Sequence, residues 1–92
     1  MAQNTKPLDI EISDWTLINQ WVNERITDLD YFFTTRVTRV SEANYRVDVF
    51  TNPPITEKAF GREYETGLTD MGIARSWFLS VSDQTITDLT RS

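Results

Sequence analysis

The segment Tyr31–Thr51, YFFTTRVTRVSEANYRVDVFT, carries more mutually consistent signals than any other part of the chain. β-Branched and aromatic residues dominate it, and the polar run Ser41-Glu42-Ala43-Asn44 divides it into two stretches of strand length. That pattern predicts a β-hairpin. A three-residue loop with Asn44 in the left-handed region would pair Ser41 with Tyr45, Arg39 with Val47, Val37 with Val49 and Thr35 with Thr51. A four-residue loop would set Val37 against Asp48 and mix the faces, so the first register is expected. In it Phe33, Val37, Val47 and Val49 face the core, while Arg36, Arg46, Asp48 and Phe50 face outward.

Upstream, the apolar residues Trp15, Ile18, Val22, Ile26 and Leu29 recur at the spacing that places them on one side of a helix. A helix over Asp14–Leu29 is expected, N-capped by Ser13 or Asp14 and ended where Asp28 and Asp30 oppose the negative end of its dipole. Leu17 and Trp21 form a second ridge beside the core stripe. Trp21 is a candidate partner contact, because tryptophan is enriched at binding hot spots, although packing against the sheet is the plainer reading. Asp9–Ile12 alternates and is expected as a short edge strand, and Met1–Leu8 as a flexible lead-in.

Downstream, Asn52-Pro53-Pro54 ends the second strand, since proline cannot donate to a ladder. Residues 55–72 hold all three glycines and are read as a loop, with Phe60 and Tyr64 anchored to the core or with a short strand through Lys58–Tyr64. From Ile73 to Val81 a strand and a short helix over 69–81 compete. The strand is preferred because a Ser82-Asp83-Gln84 turn leads to Thr85–Leu89, a natural hairpin partner. The expected fold is therefore α+β: one domain over residues 1–92, with a helix packed on a three- or four-stranded antiparallel sheet.

Composition narrows the chemistry. The 92 residues include no cysteine and no histidine, which removes thiolate nucleophiles, imidazole bases and the usual zinc ligands. Phosphate-loop, dinucleotide-turn and nucleophile-elbow spacings are missing, as is an EF-hand loop, so no cofactor and no metal are expected. Paired carboxylates are the remaining acid–base option: Asp28 with Asp30, Glu63 with Glu65, and Asp83 with Asp88. Solvated surface charge explains those pairs more simply, and no enzymatic activity is expected. No apolar run approaches the ~20 residues that cross a bilayer, which makes a cytoplasmic protein the default expectation.

The net charge is −5, unevenly distributed. Residues 1–30 hold six acids and two bases, whereas residues 31–52 hold two acids and three bases. Overall acidity opposes binding to nucleic acid and favours a basic partner. The function expected is a small acidic protein-binding module, of the type of virus-encoded inhibitors that occupy the nucleic-acid channel of a basic host protein. The alternatives are a single-stranded nucleic-acid platform built on Arg36, Arg46 and the sheet aromatics, and a structural or accessory subunit. Candidate contact residues are Trp21, Asp28, Asp30, Arg36, Arg46 and Phe50.

Overall fold

The computed structural model describes residues 6–90. One helix, α1 (Ile12–Asn23), precedes six strands: β1 (Phe32–Ser41), β2 (Asn44–Thr51), β3 (Pro54–Ala59), β4 (Arg62–Thr69), β5 (Gly72–Ser82) and β6 (Thr85–Asp88). Four of them form an antiparallel sheet in the order β1-β2-β5-β6, and β3 pairs with β4 alone in a second, two-stranded sheet. The α+β class and the four-stranded sheet agree with expectation. The short helix over 69–81 does not form, because β5 and β6 close a hairpin through Asp83 and Gln84, both at positive φ (49° and 60°).

The β1–β2 hairpin forms, but in another register. Val37 pairs with Val47, Arg36 with Asp48 and Thr35 with Val49, two residues away from the expected pairing. The turn is only Glu42-Ala43, Asn44 belongs to β2 rather than to a left-handed loop position, and a bulge between Arg39 and Ser41 takes up the extra residue. Because a shift of two preserves the alternation of side chains, both faces keep their predicted composition. Val37, Val47 and Val49 are buried with Tyr45, Leu79 and Val81 against Ile18 and Val22 of α1. Phe33 is the exception: a second bulge between Phe32 and Thr34 leaves it at the sheet margin, about two-fifths exposed.

Helix α1 is shorter than the apolar stripe that predicted it. It begins after Glu11, which makes no side-chain cap, so neither Ser13 nor Asp14 is the N-cap. Asp14 sits in the first turn and accepts a hydrogen bond from the Tyr45 hydroxyl at 3.1 Å. Burial raises the Tyr45 pKa above its ordinary value, and the bond to Asp14 adds to that shift. The helix ends at Asn23, while Ile26 and Leu29 still pack on the core from the connection that follows. Asp9–Ile12 is not a strand: Asp9 and Ile10 lie in a turn, and Ile10 is a core residue. The lead-in expected over Met1–Leu8 falls mostly outside the described residues; Lys6 and Pro7 are half-buried, with Lys6 Nζ donating to the Ile10 carbonyl at 2.8 Å.

The second sheet sets the overall shape. β2 runs through Asn52-Pro53 into β3, and β4 returns through Asp70 and Met71 into β5, so the two central strands continue outward as a ribbon. The Asp70 amide donates to the Pro53 carbonyl at 2.9 Å across the base of this arm. At ~3.3 Å per residue the run from Asn44 to Ala59 spans roughly 53 Å, close to the 58 Å long axis of the 58 × 28 × 20 Å molecule. The radius of gyration is accordingly 16.3 Å, against about 12 Å for a compact chain of this length.

Candidate functional site

Two surfaces stand out, and the arm is the more unusual. Phe60 (φ 55°) and Gly61 (φ 76°) form the two-residue turn at its tip, a geometry that glycine adopts freely and phenylalanine does not. The Phe60 ring is fully exposed, with a relative accessibility of 104%. Ile55, Tyr64 and Leu68 are also exposed along the arm, so the expected anchoring of Phe60 and Tyr64 to the core does not occur. Glu57 pairs across the ribbon with Tyr64, and Lys58 with Glu63, which sets ring and carboxylate of the first pair on one face. Near the base, the Thr66 hydroxyl donates to the Ile55 carbonyl at 3.0 Å and accepts from the Leu68 amide at 3.2 Å. These local bonds steady the irregular register where Gly67 sits at φ 84°.

The second surface is the sheet face opposite α1. Register places Arg36, Asp48 and Ser76 side by side on β1, β2 and β5, with Thr38, Arg46 and Phe78 in the next row. Asp48 is 1% exposed, although no helix covers this face; its carboxylate is enclosed by its neighbours. Oδ1 accepts from Ser76 Oγ at 2.7 Å and Arg46 Nε at 3.2 Å, and Oδ2 accepts from Arg36 Nη2 at 3.1 Å. Burial alone pushes the Asp48 pKa up, but the hydrogen bonds from Ser76, Arg36 and Arg46 outweigh it and hold the carboxyl below its usual range. Arg36 also lies 5.1 Å from the centre of the Phe50 ring. The positive patch expected from the sequence is thus two guanidinium groups arrayed around one carboxylate.

Of the six candidate contact residues, Arg36, Arg46 and Phe50 come together on this outer face. Trp21 and Asp28 lie elsewhere. Trp21 meets Trp77 edge-to-face at 5.3 Å between ring centres, and the Arg25 guanidinium lies over its ring at 3.7 Å, so it packs at the helix–sheet junction. Asp28 is engaged by Arg75, whose fork lowers its pKa. Asp30 is exposed on the connection before β1. Asp83 and Asp88 stand at opposite ends of the last hairpin: Asp83 is in its turn and Asp88 closes β6. Among the described residues, no group of three or more carboxylates is arranged to hold a metal ion.

A shallow groove of about 370 Å³ runs along the β1 margin, lined chiefly by Pro7, Phe33, Phe50 and Met71. No helix among the described residues is long and apolar enough to cross a membrane. The element that sequence reasoning missed is the arm. Its signal was present in ITEKAFGREYET, two polar stretches of strand length about a Phe-Gly pair, but without apolar alternation such stretches also read as a loop. Compared with known proteins, the chain matches no family model, no curated protein and no solved structure.

Proposed function

We propose that this chain is a small, non-enzymatic protein-binding module that recognises its partner with the β3–β4 arm. One observation carries the reading: a two-stranded ribbon that packs on little of its own chain ends in a fully exposed phenylalanine. Isolated two-stranded hairpins are at best marginally stable in water, and exposed large apolar side chains in a row mark contact surfaces. Ile55, Phe60, Tyr64 and Leu68 have the composition of such a contact, with an aromatic anchor at the tip. The net charge of −5 supports a basic partner, and on that basis an inhibitor of a nucleic-acid-binding protein is the narrower proposal.

Affinity capture from a lysate of the native source tests the reading, with the wild type compared against a Phe60→Ser, Tyr64→Ser double variant. The wild type is expected to retain a partner that the double variant loses, and the bound partner to release its nucleic acid. Equal capture by both proteins would remove the arm as the recognition element. Capture of nucleic acid alone, weakened by Arg36→Ala and Arg46→Ala together, would instead favour a nucleic-acid platform.

A further inference from the structure

We infer that the groove along the β1 margin binds a small amphipathic anion, its apolar body laid against Phe33, Phe50 and Met71 and its carboxylate or phosphate head on Arg36. The site is separate from the β3–β4 arm, so it stands or falls independently of the arm's partner.

The groove has the make-up of a ligand site. Its volume of about 370 Å³ falls in the range that small-molecule sites occupy, and such sites combine apolar walls with a few placed polar groups. Pro7, Phe33, Val37, Phe50 and Met71 form the walls, two threonines complete them, and Arg36 is the one charged residue in the lining. Irregular pairing sets both rings there. The bulge between Phe32 and Thr34 turns Phe33 out of the core face, and the β2–β5 register breaks between Val49 and Phe50. Bulges re-aim side chains in this way beside binding sites. Phe33, and Met71 in the link between β4 and β5, are each exposed by two-fifths or more. An apolar body would cover surface that the chain leaves in water.

Charge selects an anion. Arg36 gives one N–H to Asp48 Oδ2, and its other N–H groups have no hydrogen-bond partner among the described residues. Arg46 Nε donates to Oδ1 of the same carboxylate. Two guanidinium groups against one carboxylate leave a charge of +1, which a single oxyanion head neutralises. No acidic residue lines the groove, although the chain as a whole carries −5. The Arg36 side chain is 60% exposed, yet it is held by a carboxylate that is itself enclosed. It is therefore oriented before a ligand arrives and loses little freedom on binding.

Titration of the full chain, followed by side-chain NMR, tests this with octanoate and octyl phosphate as probes and 1-octanol as the uncharged control. At least one of the two anions is expected to shift the Phe33, Phe50 and Met71 signals saturably in the low-millimolar range, and octanol to bind several-fold more weakly. Arg36→Gln is expected to abolish the preference for the anion while octanol binding persists. Met71→Glu, which sets a like charge in the wall, is expected to weaken the anion about tenfold. Arg62→Gln, the same change in net charge placed on the arm, is expected to leave it unaltered. No saturable shift by about 10 mM of either anion, equal binding of octanol, or an undiminished preference in Arg36→Gln overturns the inference. So do two observations made before any probe is added. Nuclear Overhauser contacts from residues 1–5 to the Phe33 and Phe50 rings would give the groove to the chain itself, and broadening of those ring signals with protein concentration would give it to a second copy.

Discussion

Arg75 on β5 forks onto Asp28, Nη1 to Oδ1 at 3.1 Å and Nη2 to Oδ2 at 2.9 Å, while the same Nη1 donates to the Arg25 carbonyl at 2.6 Å. One side chain thereby ties the segment after α1 to the sheet and satisfies a carbonyl just beyond the helix end. The hydrogen bonds from Arg75 hold the Asp28 carboxyl below its ordinary 3.8. A depressed native pKa stabilises the fold above the unfolded value and loses that effect as pH falls through the native value. Arg75→Gln is expected to move the Asp28 carboxyl up toward the ordinary range in a carbon-detected titration, the backbone hydrogen bond to Asp28 keeping part of the lowering. It should speed amide exchange over residues 24–31, with only a small change in global stability, since Asp28 is largely exposed.

Asp48→Asn replaces an acceptor of three hydrogen bonds by a group that presents one amide to donors. A loss of about 2 kcal/mol in urea denaturation is expected. The native carboxyl is held below 3.8, so its contribution is complete above that pH and declines as pH falls through the native value. The acid limb of the stability profile should therefore be flatter in Asp48→Asn than in the wild type.

Leu79 is fully buried and Phe60 fully exposed. Leu79→Ala is expected to cost about 3 kcal/mol through the cavity it leaves, whereas Phe60→Ser should stay within ~0.5 kcal/mol. Chemical denaturation of the two variants side by side measures the difference. A large loss in Phe60→Ser would mean that the ring packs on its own chain.

The final hairpin turns through Asp83 and Gln84, both non-glycine residues in the left-handed region. Gln84→Gly removes the steric cost of that conformation and is expected to raise stability by up to ~1 kcal/mol, read as a higher denaturation midpoint at unchanged slope. A lower midpoint would show that the Gln84 side chain contributes more than its backbone conformation costs.

Trp21 and Trp77 join α1 to β5 edge-to-face. A double-mutant cycle with Trp21→Leu and Trp77→Leu is expected to give a coupling of about 1 kcal/mol. Zero coupling would mean that the two rings contribute only through the area each buries.

The division of the hairpin into a core face and an outer face was legible in the alternation of Thr35, Val37, Val47 and Val49 with Arg36, Arg46 and Asp48, because side chains alternate strictly along a strand. So was the β5–β6 hairpin, from Trp77, Leu79 and Val81 on one side and the polar Asp83-Gln84 turn. The register was not: a two-residue turn with a bulge and a three-residue loop give the same face pattern, and only the inter-strand hydrogen bonds distinguish them. The helix end was hidden for a similar reason. Ile26 and Leu29 continue the apolar periodicity because they pack on the same core, yet the segment beyond Asn23 is held by Arg75, fifty residues away from Arg25.

The candidate site divides along the same line. Residue order alone determined that Arg36, Arg46 and Phe50 share a surface, since even spacing on paired strands places them there. Only the tertiary structure decided that Asp48 lies enclosed between those arginines, that Trp21 turns inward to Trp77, and that Phe60 stands at the tip of an arm. Periodicity records which side of an element faces the core. Whether a polar ribbon folds back or projects depends on contacts with the rest of the chain, and those exist only once the sheet has formed.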